Sequence, residues 1–292
     1  MDTATVRPMT PDDVPAVVRL LRVEFLRHMS EETVTRILAL DFGVPRPNIG
    51  YLLEATGQPV GCLAATYSER TIDGRVERVV NANTWYVAPE HRKGSMLLPR
   101  ALFSQPGYTF TTLTPNNVTQ AVFPRFGFKP LESEFRVYLP GRRAPETPVG
   151  LFGSGARVAS STRVLGRELA PHHRRILEDH RPFPCGHFML TARGHAGYGY
   201  VVTRRRTLQR YGGWVPVSEL LYVSDPALAA RHFERLKVAI ALRDRTLAVV
   251  SDPRHLGPEP PSGRAVPRPR LFKSETLRAD QVDSLYSEIV LL

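Results

Sequence analysis

The stretch Asn81–Arg100 (NANTWYVAPEHRKGSMLLPR) carries a β-branched and aromatic run into Pro89, then a basic turn with one glycine, then a second apolar run of helical character. Strand, tight cationic turn and helix start together make an anion cradle. The unpaired N–H groups of a first helical turn and the helix dipole both point at whatever negative group docks there. Such a cradle suits a phosphorylated cofactor.

The chain around this segment has room for two domains. Its 292 residues, 42% hydrophobic and 23% charged, are enough to bury a full core. Cys62 and Cys185 are too few for a disulfide framework and lack metal spacing, so a reducing compartment is expected. The opening MDTATVRPMTPDDV has acids and no long apolar run, which predicts neither a signal peptide nor a membrane span, and a cytoplasmic location. The formal charge of +11 invites a nucleic-acid reading. Of the 39 Lys and Arg residues, however, only Lys93, Lys129, Lys237 and Lys273 are lysine, and so lopsided an arginine excess reflects coding bias as readily as binding. The densest cluster, Arg204–Arg206 with Arg210, is expected at a solvated hairpin tip before Tyr211-Gly212-Gly213. A small anionic ligand needs only a few of these charges.

Along the chain, Val6–Met9 reads as a short strand, followed by a helix with Thr10 as N-cap, Pro11 at the first helical position and acids in the first turn. Val14, Val17, Val18, Leu21 and Phe25 continue at helical spacing as one apolar stripe. Ser30–Leu40 predicts a second helix, broken by Phe42–Pro47. Tyr51–Ala55 and Pro59–Tyr67 flank Thr56-Gly57-Gln58 as a hairpin, and Val76–Val87 is the long strand that enters the cradle. A helix over Ser95–Phe103, with Pro99 inside it, precedes strands at Tyr108–Leu113 and Glu134–Leu139. Gly141–Ser161, rich in Gly, Pro and Ser, predicts a linker.

A similar order then returns. Arg163–His180 is helical in pattern, Gly186–Thr203 reads as two strands around Arg193-Gly194-His195, and Val217–Val223 is a strand. Asp225-Pro226 opens a helix reaching Arg243, Thr246–Val250 is a strand, Gly257–Arg270 a Pro-rich loop and Gln281–Leu292 a closing segment. The expected fold class is α/β, a twisted mixed sheet flanked by helices, in two similar modules: a domain over 1–140, a linker over 141–161 and a second domain over 162–292.

The strand residues Trp85, Val87 and Pro89, the turn Arg92-Lys93-Gly94-Ser95-Met96-Leu97 and the segment Asn116–Phe128 (NNVTQAVFPRFGF), in this order, resemble the acyl-CoA-binding core of the GNAT N-acetyltransferase superfamily. The resemblance covers residues 4–140 and implies a β-α-α-β-β-β-α-β-α-β order there, with the second half a degenerate module of the same kind. It implies acetyl-CoA or another acyl-CoA as co-substrate. Arg92, Lys93, Gly94, Ser95 and Met96 would then lie at the pyrophosphate, and Asn116 and Phe123 beside the cofactor. The backbone around Tyr86 and Val87 would pair with the pantetheine arm and offer an N–H to the thioester oxygen. The superfamily's Arg/Gln-x-x-Gly-x-Gly/Ala pattern is degenerate here in either register. Asn116, Phe123, Gly127 and Phe128 match Asn-x6-Tyr-x3-Gly-Phe, with Phe123 where the superfamily has Tyr. A phenylalanine cannot protonate a leaving thiolate.

No general base is evident. Asn81 and Asn83 lie on the long strand and can orient a water, whereas Glu77, Glu90 and His91 read as solvated surface residues. Tyr86 alternates in face with Trp85 and Val87 and is a candidate for the cleft. Asn83 and Tyr86 are therefore the candidate catalytic residues. No metal is expected, because His172, His173 and His180 lack Cys partners or an HExxH pattern and read as helix surface. Ser160, Ser161 and Ser218 sit in no G-x-S-x-G setting. Asp283–Glu288 (DSLYSE) either lines a cleft between the domains or forms a capped terminal helix.

Taken with the resemblance, these features imply an N-acyltransferase moving an acyl group, acetyl by expectation, from acyl-CoA to a small-molecule or peptide amine by direct attack. The second module would shape the acceptor pocket or mediate self-association into a homo-oligomer. The alternative is a catalytically silent CoA-binding or interaction protein of the same fold, which the Phe123 departure favours. Nucleic-acid and membrane partners are not expected.

Overall fold

Positive-φ corners at Thr56-Gly57 (50° and 73°) and Asp73-Gly74 (50° and 78°) fold Gly50–Val87 into an antiparallel meander. Corners of that hand twist with the strands they join, so two residues suffice for each turn. A computed structural model describes residues 4–23, 25–131, 134–139, 155–210 and 213–292. Its first elements are β1 (Thr5–Pro8), α1 (Val14–Val23), α2 (Glu31–Leu38), β2 (Gly50–Ala55), β3 (Gln58–Ile72) and β4 (Arg75–Val87). After a 3-10 segment, Pro89–Gly94, come α3 (Leu97–Phe103), β5 (Thr109–Thr112), α4 (Asn117–Val122) and β6 (Lys129–Pro130). The remainder holds β7 (Glu134–Tyr138), β8 (Ala156–Ala159), α5 (Thr162–Glu168), α6 (Pro171–His180), β9 (Cys185–Ala192), β10 (Gly199–Arg210) and β11 (Gly213–Val223). The last elements are α7 (Pro226–Arg231), α8 (Phe233–Asp244), β12 (Ala248–Ser251), β13 (Arg264–Pro267) and β14 (Leu271–Lys273).

The chain divides into two compact units, one of Met1–Leu131 with Pro269–Val282 and Tyr286–Leu291, the other of Glu132–Arg268 with Asp283–Leu285 and Leu292. Each carries a mixed seven-stranded sheet among the described residues, so the fold is α/β in two modules. In the first unit the order is β1-β2-β3-β4-β5-β14-β6, with β4 and β5 parallel. Alternation along the strands separates two apolar faces. Leu52, Cys62 and Ala64 pack under α1 and α2, whereas Leu53, Leu63, Ala65 and Val80 pack under α3 with Phe110 and Phe123.

Local chemistry sets the helix ends. The Thr10 N–H and hydroxyl both donate to the Asp13 carboxylate (2.8 and 3.0 Å), and Ser30 Oγ accepts the Thr33 N–H at 3.2 Å. The helix expected from Ser95 begins at Leu97. Pro99 is therefore its third residue, in a turn whose N–H groups lack intrahelical acceptors, and no hydrogen bond is lost.

The second sheet runs β13-β7-β12-β11-β10-β9-β8, with β11 and β12 parallel. Glu134–Tyr138, read from sequence as the close of the first module, belongs here: Phe135 is buried with Val217, Ala248 and Val250. In exchange, β14 enters the first sheet between β5 and β6. Two segments expected to be irregular contain edge strands, β8 within the proposed linker and β13 within the Pro-rich loop. Prolines are compatible with an edge position. Residues 141–154 of the proposed linker, and Tyr211 and Gly212 at the proposed hairpin tip, lie outside the described residues. Arg204 and Arg206 lie along β10 itself, Arg204 buried and Arg206 2.6 Å from the buried Glu219 carboxylate, so this part of the basic cluster turns inward.

Candidate functional site

The first unit's sheet forks at Asn81. Parallel pairing of β4 with β5 runs Val79 to Thr109, Val80 to Phe110 and Asn81 to Thr111, and β5 ends one residue later. On the other side of β4, Ala65 pairs with Ala82 but Ala64 pairs with Thr84, leaving Asn83 as an extra residue. A bulge of this kind bends the strand and sharpens its twist. From Asn83 to Val87, β4 continues beside β3 without a parallel neighbour in β5.

Past the fork the chain turns at Ala88, whose N–H donates to the Val60 carbonyl at 2.8 Å. The 3-10 segment that follows has no side-chain cap, and Arg92 and Lys93 are exposed on it, with no ion pair among the described residues. Ser95 is half-buried; Met96 is exposed. Gly94 has a packing reason of its own, since a Cβ there would lie 3.1 Å from Leu53 Cδ2. Its missing side chain lets the turn rest on Leu53 of β2.

The two catalytic candidates share the α1/α2 face of β4. Asn83 Nδ2 donates to Thr66 Oγ1 at 3.1 Å, whereas Asn83 Oδ1 is buried with no hydrogen-bond partner among the described residues. Tyr86 is half-buried and stacks on Phe25 at 5.5 Å. Val87 is buried on the opposite face, against Gly61.

Asn116 caps α4, its Oδ1 accepting the Thr119 N–H and hydroxyl at 2.9 and 3.0 Å. Phe123 is 1% exposed, in an aromatic cluster with Phe103, Phe128 and Trp85 at 4.9, 5.1 and 5.6 Å. Lacking a hydroxyl to hold it at a wet surface, the ring has joined the core against Trp85 of β4.

One group at the fork was not selected from sequence. Glu288 accepts from Asn81 Nδ2 through Oε2 and from Thr114 Oγ1 through Oε1, both at 2.5 Å, while Asn81 Oδ1 accepts from Thr111 Oγ1 at 3.1 Å. Its carboxyl is buried, and burial raises its pKa against the opposing pull of the Thr114 and Asn81 hydrogen bonds and of Arg270. The residue sits in a 3-10 turn, Glu288–Val290, where Ser287 Oγ accepts the Ile289 N–H. The only sequence signal was an acid in DSLYSE.

Burial pushes both the Cys62 and Cys185 thiols up to about 12, so neither is a thiolate near neutrality. No group of three His, Cys, Asp or Glu among the described residues could hold a metal ion, and no helix there is long and apolar enough to cross a membrane. The histidines read as helix surface are partly interior: His173 bridges the Tyr198 and Tyr222 hydroxyls (2.9 and 3.1 Å), and His180 is fully buried.

The second unit repeats the fork with different chemistry. Its parallel pairing ends at Glu219 and Val250, and Leu221 is the extra residue two positions on. Glu219, fully buried at the position Asn81 holds in the first unit, accepts from Arg206 and Arg268 at 2.6 and 3.0 Å. At the following helix start, Asp225 Oδ1 accepts the Leu228 N–H at 2.8 Å and Oδ2 lies 3.1 Å from His195. A resident carboxylate thus fills the place an anion would take.

Comparison with known proteins bears on the fold. No protein-family profile matches the chain, and no curated protein sequence matches it significantly. Among solved structures, GCN5-related N-acetyltransferases from Kribbella flavida and Anabaena variabilis superpose with TM-scores of 0.53 and 0.56 at 14% and 12% identity. These matches cover 93% and 92% of this chain and 71% and 72% of the respective chains. A conserved protein of unknown function from Enterococcus faecalis V583 gives a TM-score of 0.55 at 14% identity, over 92% of this chain and 72% of its own. The chain has the fold of the GCN5-related N-acetyltransferases.

Proposed function

We propose that the first unit is an acyl-CoA-dependent N-acyltransferase that passes its acyl group, acetyl by preference, directly to an amine. The observation that carries this reading is a bulged, forked β4 that opens its edge immediately before an uncapped basic turn. The thioester arm lies along β4 from Thr84 to Val87, where backbone N–H groups meet the charge that grows on the carbonyl oxygen. Arg92 and Lys93 face the diphosphate, with the turn around Ser95 and Met96 beside it. On the α1/α2 face Asn83 Oδ1, unpartnered among the described residues, accepts from an N–H of the acceptor or an O–H of a bridging water, with Tyr86 at its flank. Two buried, unactivated thiols agree with direct attack. The second unit, whose helix start already holds Asp225, is assigned to self-association rather than to cofactor binding.

A silent CoA-binding protein is the second reading, favoured by the buried Phe123 in place of an acid. Thermal shift with acetyl-CoA, desulfo-CoA and nucleic acid tests the site. A ligand at 100 times its Kd adds about 2.7 kcal/mol to stability. Acetyl-CoA is expected to stabilise the wild type, and Arg92→Glu with Lys93→Glu to remove that shift without lowering the melting temperature of the free protein. Stabilisation by nucleic acid alone would overturn the reading. Release of CoA with candidate amines then separates the enzyme from the silent binder.

A further inference from the structure

We propose that Glu288, brought to the fork by the C-terminal segment, is the carboxyl group that takes the acceptor's proton during acyl transfer. The inference rests on the acyltransferase reading and supplies a base at the fork itself, where the β4 side chains Asn81 and Asn83 are not bases. Three observations carry it. The carboxyl is hydrogen-bonded to Asn81, the last β4 residue paired with β5 before the strands part, so it lies where the open edge begins. Its second oxygen is held by Thr114, an exposed residue just beyond the end of β5, so the pair reaches from the interior to the surface at the fork. The buried carboxyl at the second unit's fork, Glu219 at the position of Asn81, is neutralised by two arginines, whereas the carboxyl at the first fork, Glu288, is held by an amide and a hydroxyl.

The charged group acting on Glu288 is Arg270, ahead of β14; Asn81 on β4 and Thr114 after β5 are the neutral groups bonded to it. Burial raises the carboxyl above the ordinary glutamate range, which makes its ionised form a stronger base than a solvated one. In the step, the amine nitrogen bonds to the thioester carbonyl carbon and the C–S bond breaks. CoA leaves as the thiolate and is protonated by solvent. The proton lost by the nitrogen passes across a water to Glu288 and then to bulk.

The test uses the full chain and an acceptor whose nitrogen is neutral across the range, such as a hydrazide, so that the acceptor does not titrate. CoA release is followed against pH for the wild type, Glu288→Gln, Glu288→Asp and Thr114→Val, with acetyl-CoA thermal shifts alongside. Glu288→Gln is expected to lose about 10²-fold or more in kcat with the acetyl-CoA shift retained, and Glu288→Asp to recover part of it. Thr114→Val removes one hydrogen bond from the ionised form and should move the acid limb of kcat/KM up by about one pH unit. If Glu288→Gln does not fold, the Thr114→Val limb decides. A wild type that turns over while Glu288→Gln stays within threefold, or a limb unmoved in Thr114→Val, overturns the role of Glu288 and leaves the acyltransferase reading standing. A wild type that neither binds acetyl-CoA nor releases CoA sinks both.

Discussion

Asn83 joins backbone geometry to chemistry in one residue. As the extra residue of the bulge it helps part β4 from β5, and its side chain offers a buried oxygen without a partner among the described residues. Replacing it with Ala keeps the backbone but removes that oxygen and the Thr66 contact. The expected result is about a tenfold loss in kcat/KM for the amine with at most about 1 kcal/mol of lost stability, measured by CoA release and urea unfolding. Phe123 tests the opposite expectation. A hydroxyl placed there by Phe123→Tyr enters an apolar cluster and should cost about 1–3 kcal/mol without raising turnover. A gain in turnover would show instead that the ring reaches the leaving thiol. Neither outcome could be framed from sequence alone, where Phe123 differs from a family pattern but its burial is invisible.

At the scale of elements, the clearest predictions came from segments that carry their own signal. The α1 stripe, the Thr56-Gly57 corner and the long β4 strand follow from spacing and turn chemistry. The strands β13 and β14 were missed because three or four residues contain no periodicity, and their pairing partners lie far away in sequence. The entry to α1 is a further local device that can be measured. Arg7 holds the Asp13 carboxyl down to about 2 from its ordinary 3.8. Because the folded value is the lower one, the associated stability is present above the ordinary pKa and is lost as pH falls through about 2. Arg7 is 39% exposed, so its Coulomb share is discounted for solvent screening. Asp13→Asn should therefore cost about 1 kcal/mol, mainly through the lost bonds at the helix start. The difference from wild type in thermal melts should be full at pH 7 and shrink below pH 4; a constant difference would contradict the linkage.

For the whole molecule, the C-terminal segment matters out of proportion to its length. Residues Tyr286–Leu291 belong to the first unit, and Ile289 and Val290 are fully buried. Truncation after Val282 should cost about 3–6 kcal/mol from these two side chains alone, seen as an earlier urea midpoint, and should abolish acyl transfer through loss of Glu288. A truncated chain with the wild-type midpoint would show that the segment is not part of that unit's core. From its order of residues the chain determined the strands and helices with strong local patterns, the mixed α/β class and the basic turn after β4, because propensity, periodicity and turn stereochemistry act between near neighbours. The tertiary structure alone decided which sheet β7 and β14 join, that Phe123 faces the core, and that a carboxyl 207 residues away reaches Asn81. Those outcomes depend on burying apolar area and satisfying polar groups across long loops, a balance no short stretch of sequence contains.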